Sequence, residues 1–360
     1  MNKRLQHLVF LSIHAGFLGL LSVTATAQLT KYAVTPAGHE FHPGNSNNTY
    51  PFRGVSSHYQ QIHDATDMMS LHGGGVQIMT HMGFRPASTF NIPARQWDVQ
   101  ISLSPTTVTA AAMSTTFSAN ATTTPTVVLP YTTLKAAAGK GLGSTVPNKI
   151  LWSFPFKQLY IYTPGPGRNL LWEWQSKNGG TQITTPMDAC SGTTRPVLRG
   201  ASIGSGCTPT GKTLPAQAQV TVAGTASLSL ANAAASAQAL LWIGVQRTNL
   251  TGPGWCSTLY LNPLIVVAGN TNSAGTWNAA SVPASSLPAT RYWEAFAQFG
   301  FADKGLVGGF GLSDMAVFAG PPNVGKYASR LWRLGGNGSE NATTGSRGLN
   351  YAVVTIFTIK

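Results

Sequence analysis

The sequence predicts an all-β protein, two antiparallel β-sandwich modules of jelly-roll-like type, and three observations predict it. Apolar side chains recur at every second position in segment after segment, a rhythm that lines one face of a strand. Charged residues make up only 9% of the chain, against about 25% in ordinary globular domains. Gly, Ser, Thr, Ala and Asn take their place, whereas exposed helix faces call for Glu, Lys and Arg. Turn signals such as Pro164-Gly165-Pro166-Gly167, Asn178-Gly179-Gly180 and Gly252-Pro253-Gly254 separate the alternating segments. The amphipathic helices that a parallel sheet would need are missing from the pattern.

In chain order, the first residues read as a leader. Lys3 and Arg4 precede an apolar run from Leu8 to Val23, broken by His14 and followed by the small-x-small pattern Ala25-Thr26-Ala27. A membrane span needs about 20 apolar residues, and the cleavage pattern marks a signal peptide over 1–27. The expectation is a secreted or cell-surface protein with no transmembrane segment once the signal is removed. Val76, Ile78, Met82 and Phe84 share one predicted face, with Thr80 between them; Trp97, Val99, Ile101 and Leu103 share another. Further strands are predicted at Leu151–Phe156, Leu159–Tyr162, Asn169–Gln175, Gln219–Leu230, Leu240–Gln246, Ser257–Val267 and Phe310–Phe318. Trp293, Ala295, Ala297, Phe299 and Phe301 alternate with Glu294, Gln298 and Gly300, and Tyr351, Val353, Phe357 and Ile359 form a last strand. Only Gln61–Leu71 and Thr132–Ala138 read as short helical turns. The pattern breaks near 190–215, which divides the chain into a first module over 29–198, a second over 199–320 and a C-terminal strand segment over 321–360 that docks on one of the sheets.

The formal net charge is +13, from 23 basic and 10 acidic residues. Such a balance suits anionic polysaccharide, lipopolysaccharide or nucleic acid, but no run of four basic residues exists to mark a patch, and no nucleic-acid partner is expected. Three cysteines, Cys190, Cys207 and Cys256, leave one unpaired if an oxidising compartment joins two. Their spacing is not that of a metal site, and Cys190–Cys207 is the pairing that proximity favours.

A resemblance enters with particular residues. Phe52-Arg53-Gly54, Tyr59-Gln60-Gln61-Ile62-His63-Asp64-Ala65, Val76–Arg85 with Pro86, Val99–Ser104 and Met113–Asn120 resemble the first module of large families of exported proteins in planctomycete-type bacteria. Gly204-Ser205-Gly206-Cys207, Gly254-Trp255-Cys256-Ser257-Thr258-Leu259-Tyr260, Phe296-Ala297-Gln298 and Gly311-Leu312-Ser313-Asp314 are similar to their second module. The resemblance covers most of 50–320. It implies a two-module β-sandwich fold and an extracytoplasmic location but no activity, and it implies that Cys207 pairs with Cys256.

Two sequence motifs of chemistry fail on context. Gly206-x-x-x-x-Gly211-Lys212-Thr213 has the P-loop spacing, but Pro215 follows where a helix must run. Gly200-Ala201-Ser202-Ile203-Gly204 has the nucleophile-elbow spacing, but no His lies beyond His81 to serve it. The histidines are the unusual distribution: His39, His42, His58, His63, His72 and His81 crowd into one stretch with Glu40, Asp64 and Asp67. His39, His42, His58 and His63 form the candidate metal set, since three imidazoles and a carboxylate hold Zn²⁺, Cu²⁺ or Ni²⁺; the competing reading is hydrogen-bonded structural His. Of the ten acids, namely Glu40, Asp64, Asp67, Asp98, Glu173, Asp188, Glu294, Asp303, Asp314 and Glu340, no two form a recognisable catalytic pair. No catalytic residue and no cofactor are assigned.

Aromatics supply the candidate ligand-binding set. Trp152, Tyr160, Tyr162, Trp172 and Trp174 cluster in sequence, and Trp172 and Trp174 share a strand face with Leu170. Exposed, they would stack on sugar rings; turned inward, they would fill a sandwich core. The expected function is that of a non-catalytic cell-envelope or extracellular-matrix protein. The alternatives are a carbohydrate-binding module for polysaccharide, and a metal-dependent enzyme centred on the His-rich module.

Overall fold

The structure is a computed structural model that describes residues 31–359, apart from 54, 70–74, 144–146, 179–181, 193–199, 223–224, 284–285, 287–293, 320–326 and 336–337. The leader over 1–27, His72 and Trp293 lie outside the described residues. The chain is nearly all β, and every ladder is antiparallel. A single α-helix, Ala65–Met69, is described, and no described helix is long and apolar enough to cross a membrane.

Two sheets build the first unit. One has four strands in the order Lys31–Thr35, Thr355–Ile359, Gln77–Phe84 and Trp152–Tyr162. The other has six, in the order Ser346–Gly348, Ala328–Gly335, Ser56–His63, Asn169–Lys177, Arg95–Thr106 and Thr126–Ala136. Alternation puts Trp97, Val99, Ile101 and Leu103 inward, all fully buried, where aromatic rings interlock across the two sheets. Trp97 meets Trp152 edge-on at 5.3 Å, and Phe154 meets Trp174 at 5.7 Å. A small sheet of Ser46–Asn48, Met187–Ser191 and Tyr351–Val353 lies beside them.

Residues after 327 therefore supply four strands to three sheets of the first unit, not one strand to one sheet. Between the two parts of the first unit lies the second unit. Its five-stranded sheet runs Gly200–Ile203, Phe310–Ala319, Glu294–Ala302, Gln238–Gly244 and Ile265–Asn270, and a three-stranded sheet joins Gln217–Val222, Thr225–Ala231 and Trp277–Pro283. Cys207 and Cys256 are disulfide-bonded, the pairing the resemblance implied; Cys190 is free and buried in the first unit. The units are clamped by Arg247, whose Nη1 and Nη2 donate to Glu40 at 2.6 and 2.7 Å while Nη2 also reaches Glu294 at 3.3 Å. The guanidinium lies between the rings of Phe41 and Phe296, a fork-to-carboxylate pairing that also uses the cation's affinity for π faces.

Several sequence expectations need correction. The strand expected at Gln219–Leu230 is a hairpin of Gln217–Val222 and Thr225–Ala231, that at Ser257–Val267 is divided between Leu259–Leu261 and Ile265–Asn270, and those at Leu151–Phe156 and Leu159–Tyr162 run together as Trp152–Tyr162. Thr132–Ala138 is not helical: residues 132–136 continue the strand Thr126–Ala136, with Leu134 opposite Trp97. The segment Gln61–Leu71 keeps a helix only at Ala65–Met69, because Gln61–His63 belong to a central strand. The predicted face of Val76, Ile78, Met82 and Phe84 is split. The register shifts between Met79 and His81, so Met79, Met82 and Phe84 point inward while Val76 is exposed. A bulge adds one residue to one strand and exchanges the faces beyond it.

Candidate functional site

The aromatic set predicted at 150–175 is core. Trp152, Tyr160, Tyr162, Trp172 and Trp174 are all buried, because their strands lie within the two sheets that face each other. Tyr162 donates from its hydroxyl to the Arg168 carbonyl at 2.6 Å, and burial pushes the Tyr160 hydroxyl up to about 12. None of the five offers a ring face to a sugar, so the stacking platform is not built from them.

The predicted metal set is not brought together. His58 and His63 share the strand Ser56–His63, and their odd separation puts them on opposite faces. His63 is fully buried in a core network. Thr35 Oγ1 donates to Asp67 at 2.6 Å and lies 2.7 Å from His63 Nδ1, while Trp172 Nε1 donates to His63 Nε2 at 3.3 Å. With the Thr35 hydrogen committed to Asp67, Nδ1 carries the imidazole hydrogen and Nε2 accepts. That assignment fits a neutral ring, and burial lowers the His63 pKa to about 3. His39 and His42 sit in the loop beside the buried Arg85–Asp188 pair, whose guanidinium also donates to the His42 carbonyl. Among the described residues no three His, Cys, Asp or Glu converge.

The two weak motifs are structural as well. Gly200–Ile203 is an edge strand in which Ser202 donates to Asp314. Residues 206–213 form a turn bound through the Cys207 amide to the Leu312 carbonyl, with Gly211 at φ +75°; a left-handed φ suits glycine and begins no phosphate-binding helix.

Two clefts open on the six-stranded sheet. The first, of about 340 Å³, lies at the side where the strand Ala328–Gly335 is flanked only by the three residues Ser346–Gly348. Trp332 and Tyr50 stack there at 5.3 Å with their planes 21° apart, both half-buried. Arg330 is a strut beneath them: its guanidinium lies 3.7 Å from the Tyr351 ring centre and 4.5 Å from that of Trp332, and it donates to Asn48. Arg53 lies over Tyr50 at 5.0 Å, and its Nη1 donates to the Tyr50 hydroxyl at 3.2 Å. Arg333, on the same strand as Trp332, is exposed and makes no hydrogen bond or ion pair among the described residues. Among the described residues no carboxylate lines this cleft. Arg85 and Arg247, by contrast, each meet an acid.

The second cleft, of about 650 Å³, lies over the outer face of the same sheet and contains His58, Gln60 and Glu173. His58 stacks on Phe117 at 3.6 Å, its Nδ1 is 2.9 Å from the Ala342 carbonyl, and its Nε2 is 3.2 Å from Glu173 Oε2.

Sequence reasoning missed Tyr50, Arg53, Arg330, Trp332 and Arg333. A signal existed in Arg330-Leu331-Trp332-Arg333, since arginines crowd a strand in a chain with so few charges. Their convergence with Tyr50 and Arg53 depends on the return of the C-terminal segment to the first unit, which no local pattern announces. No family model, no curated protein and no solved structure matches the chain.

Proposed function

We propose that the protein is a non-catalytic, extracytoplasmic component of the cell envelope that holds an acidic polysaccharide in the Tyr50–Trp332 cleft. The observation that carries this reading is a stacked Tyr50 and Trp332 with Arg53 over the Tyr50 ring, in a cleft that Arg333 also lines and that no described carboxylate lines. Guanidinium groups accept carboxylate or sulfate through paired N–H donors, and the stacked rings supply an apolar face for a sugar ring. The net charge of +13 favours approach of a polyanion. The leader read over 1–27 and the resemblance to exported two-module proteins support the location, and binding of an envelope glycan would hold the chain at the envelope.

Polygalacturonate and an oligothymidylate serve as probes in an equilibrium binding assay over a range of salt. The expected result is saturable, salt-weakened binding of polygalacturonate that falls at least tenfold in the Arg53→Ala/Arg333→Ala double variant. Tighter binding of the oligothymidylate would make the partner a nucleic acid, and unchanged polygalacturonate affinity in the double variant would remove the site.

A further inference from the structure

We propose that the cleft over Glu173 is a second binding site, one that takes a neutral sugar ring through adjacent hydroxyl groups. It does not rest on the arginine cleft or on the ligand proposed there.

The carboxylate is held in place from behind. Gln60 and Asn120 are buried. Asn120 Oδ1 accepts from the Ser114 amide at 2.7 Å, which orients its Nδ2 to donate to Gln60 Oε1 at 3.1 Å. Gln60 is thereby turned so that its Nε2 donates to Glu173 Oε2, the same oxygen that His58 Nε2 approaches. One oxygen of Glu173 is fixed by the sheet, and Oε1 takes no hydrogen bond from any described residue. A carboxylate whose position is set by neighbours meets a ligand without first losing its own rotational freedom.

The walls have the same character. Ser118, Thr124 and Thr343 line the cleft, and their hydroxyls have no hydrogen bond among the described residues. Phe117 and Pro125 add apolar surface, and the volume of about 650 Å³ lies in the usual range for small-molecule pockets, roughly 300–1,000 Å³.

Charge narrows the ligand. Glu173 repels an anion, so an acidic sugar that suits the arginine cleft does not suit this one. Among the described residues it is the only carboxylate lining the cleft, and it already faces His58, so a cation would enter with little compensation against the chain's net charge of +13. What remains is a neutral donor-rich molecule. Adjacent sugar hydroxyls donate to a carboxylate oxygen while accepting from and donating to serine and threonine hydroxyls.

Cellohexaose, mannohexaose and laminarihexaose are the probes, each tested by saturation-transfer NMR and by titration against the full chain. At least one is expected to bind, with equal affinity in the wild type and the Arg53→Ala/Arg333→Ala variant. Glu173→Gln turns the open acceptor into a donor and is expected to weaken that binding at least tenfold while leaving polygalacturonate binding unchanged. Thr124→Val, an exposed rim position, is expected to weaken it several-fold and serves if Glu173→Gln fails to fold. No binding by any of the three, or binding that neither variant alters, would overturn the site; loss in the arginine variant would assign the sugar to the other cleft.

Discussion

The Trp152–Trp172–Trp174 group and the Tyr50–Trp332 pair are made of the same kinds of side chain and differ in where their strands stand. Trp172 and Trp174 belong to Asn169–Lys177, which has a full-length partner on both sides and a second sheet over its inner face. Trp332 belongs to Ala328–Gly335, which has a full-length partner on one side and three residues on the other. The first group is sealed, and the second is a half-buried stack edged by guanidinium groups. Alternation in a sequence shows which side chains share a face; it does not show whether another layer covers that face.

That contrast is broken or sharpened by four experiments. The largest effect is expected for Trp172→Ala, which empties a fully enclosed site and should cost about 3–5 kcal/mol of stability in urea unfolding; a loss below about 1 kcal/mol would place the ring outside the core. The next concerns water exclusion on the sealed side. His63 stays neutral when folded because burial lowers its pKa to about 3, whereas in the unfolded chain it titrates near 6.5. Between those values the unfolded state binds more protons, so stability falls as pH drops from about 6.5 toward about 3, by up to about 1.4 kcal/mol per pH unit, and the contribution is fully present above 6.5. His63→Gln should lose that slope, which then appears in the wild-type minus variant difference, and parallel pH profiles would contradict it.

Smaller stability effects are expected at the edge. Trp332→Ala should cost only about 1–2 kcal/mol, because the half-buried ring gives up part of its area, and Arg333→Ala should lie within about 0.5 kcal/mol of wild type. Arg333→Ala should nevertheless weaken polygalacturonate binding several-fold and flatten its salt dependence. A large destabilisation with unaltered binding would make this strand purely structural.

Much of the fold was legible because period two is a backbone property that survives any tertiary context. The strand Arg95–Thr106 shows it, with Trp97, Val99, Ile101 and Leu103 all buried as their spacing requires. The misreadings are local exceptions or long-range events. The bulge at Met79–His81 exchanges faces where this strand carries one residue more than its partner Thr355–Ile359. Thr132–Ala136 is a strand because Arg95–Val99 pairs with it, a partner that lies outside any short window. The candidate site was the least legible part. Tyr50 and Trp332 are distant in sequence and meet only because Ala328–Gly335 pairs with Ser56–His63. His58 and His63 were grouped by proximity in sequence, yet one sheet holds them on opposite faces.

The most direct measurement is a calorimetric titration of polygalacturonate into the wild-type protein and into Trp332→Ala at matched ionic strength, with the thermal unfolding of both recorded. The expected result is saturable heat for the wild type and at least tenfold weaker binding for a variant that remains folded. Equal affinity in the two proteins would contradict the assignment of the edge cleft as the binding surface.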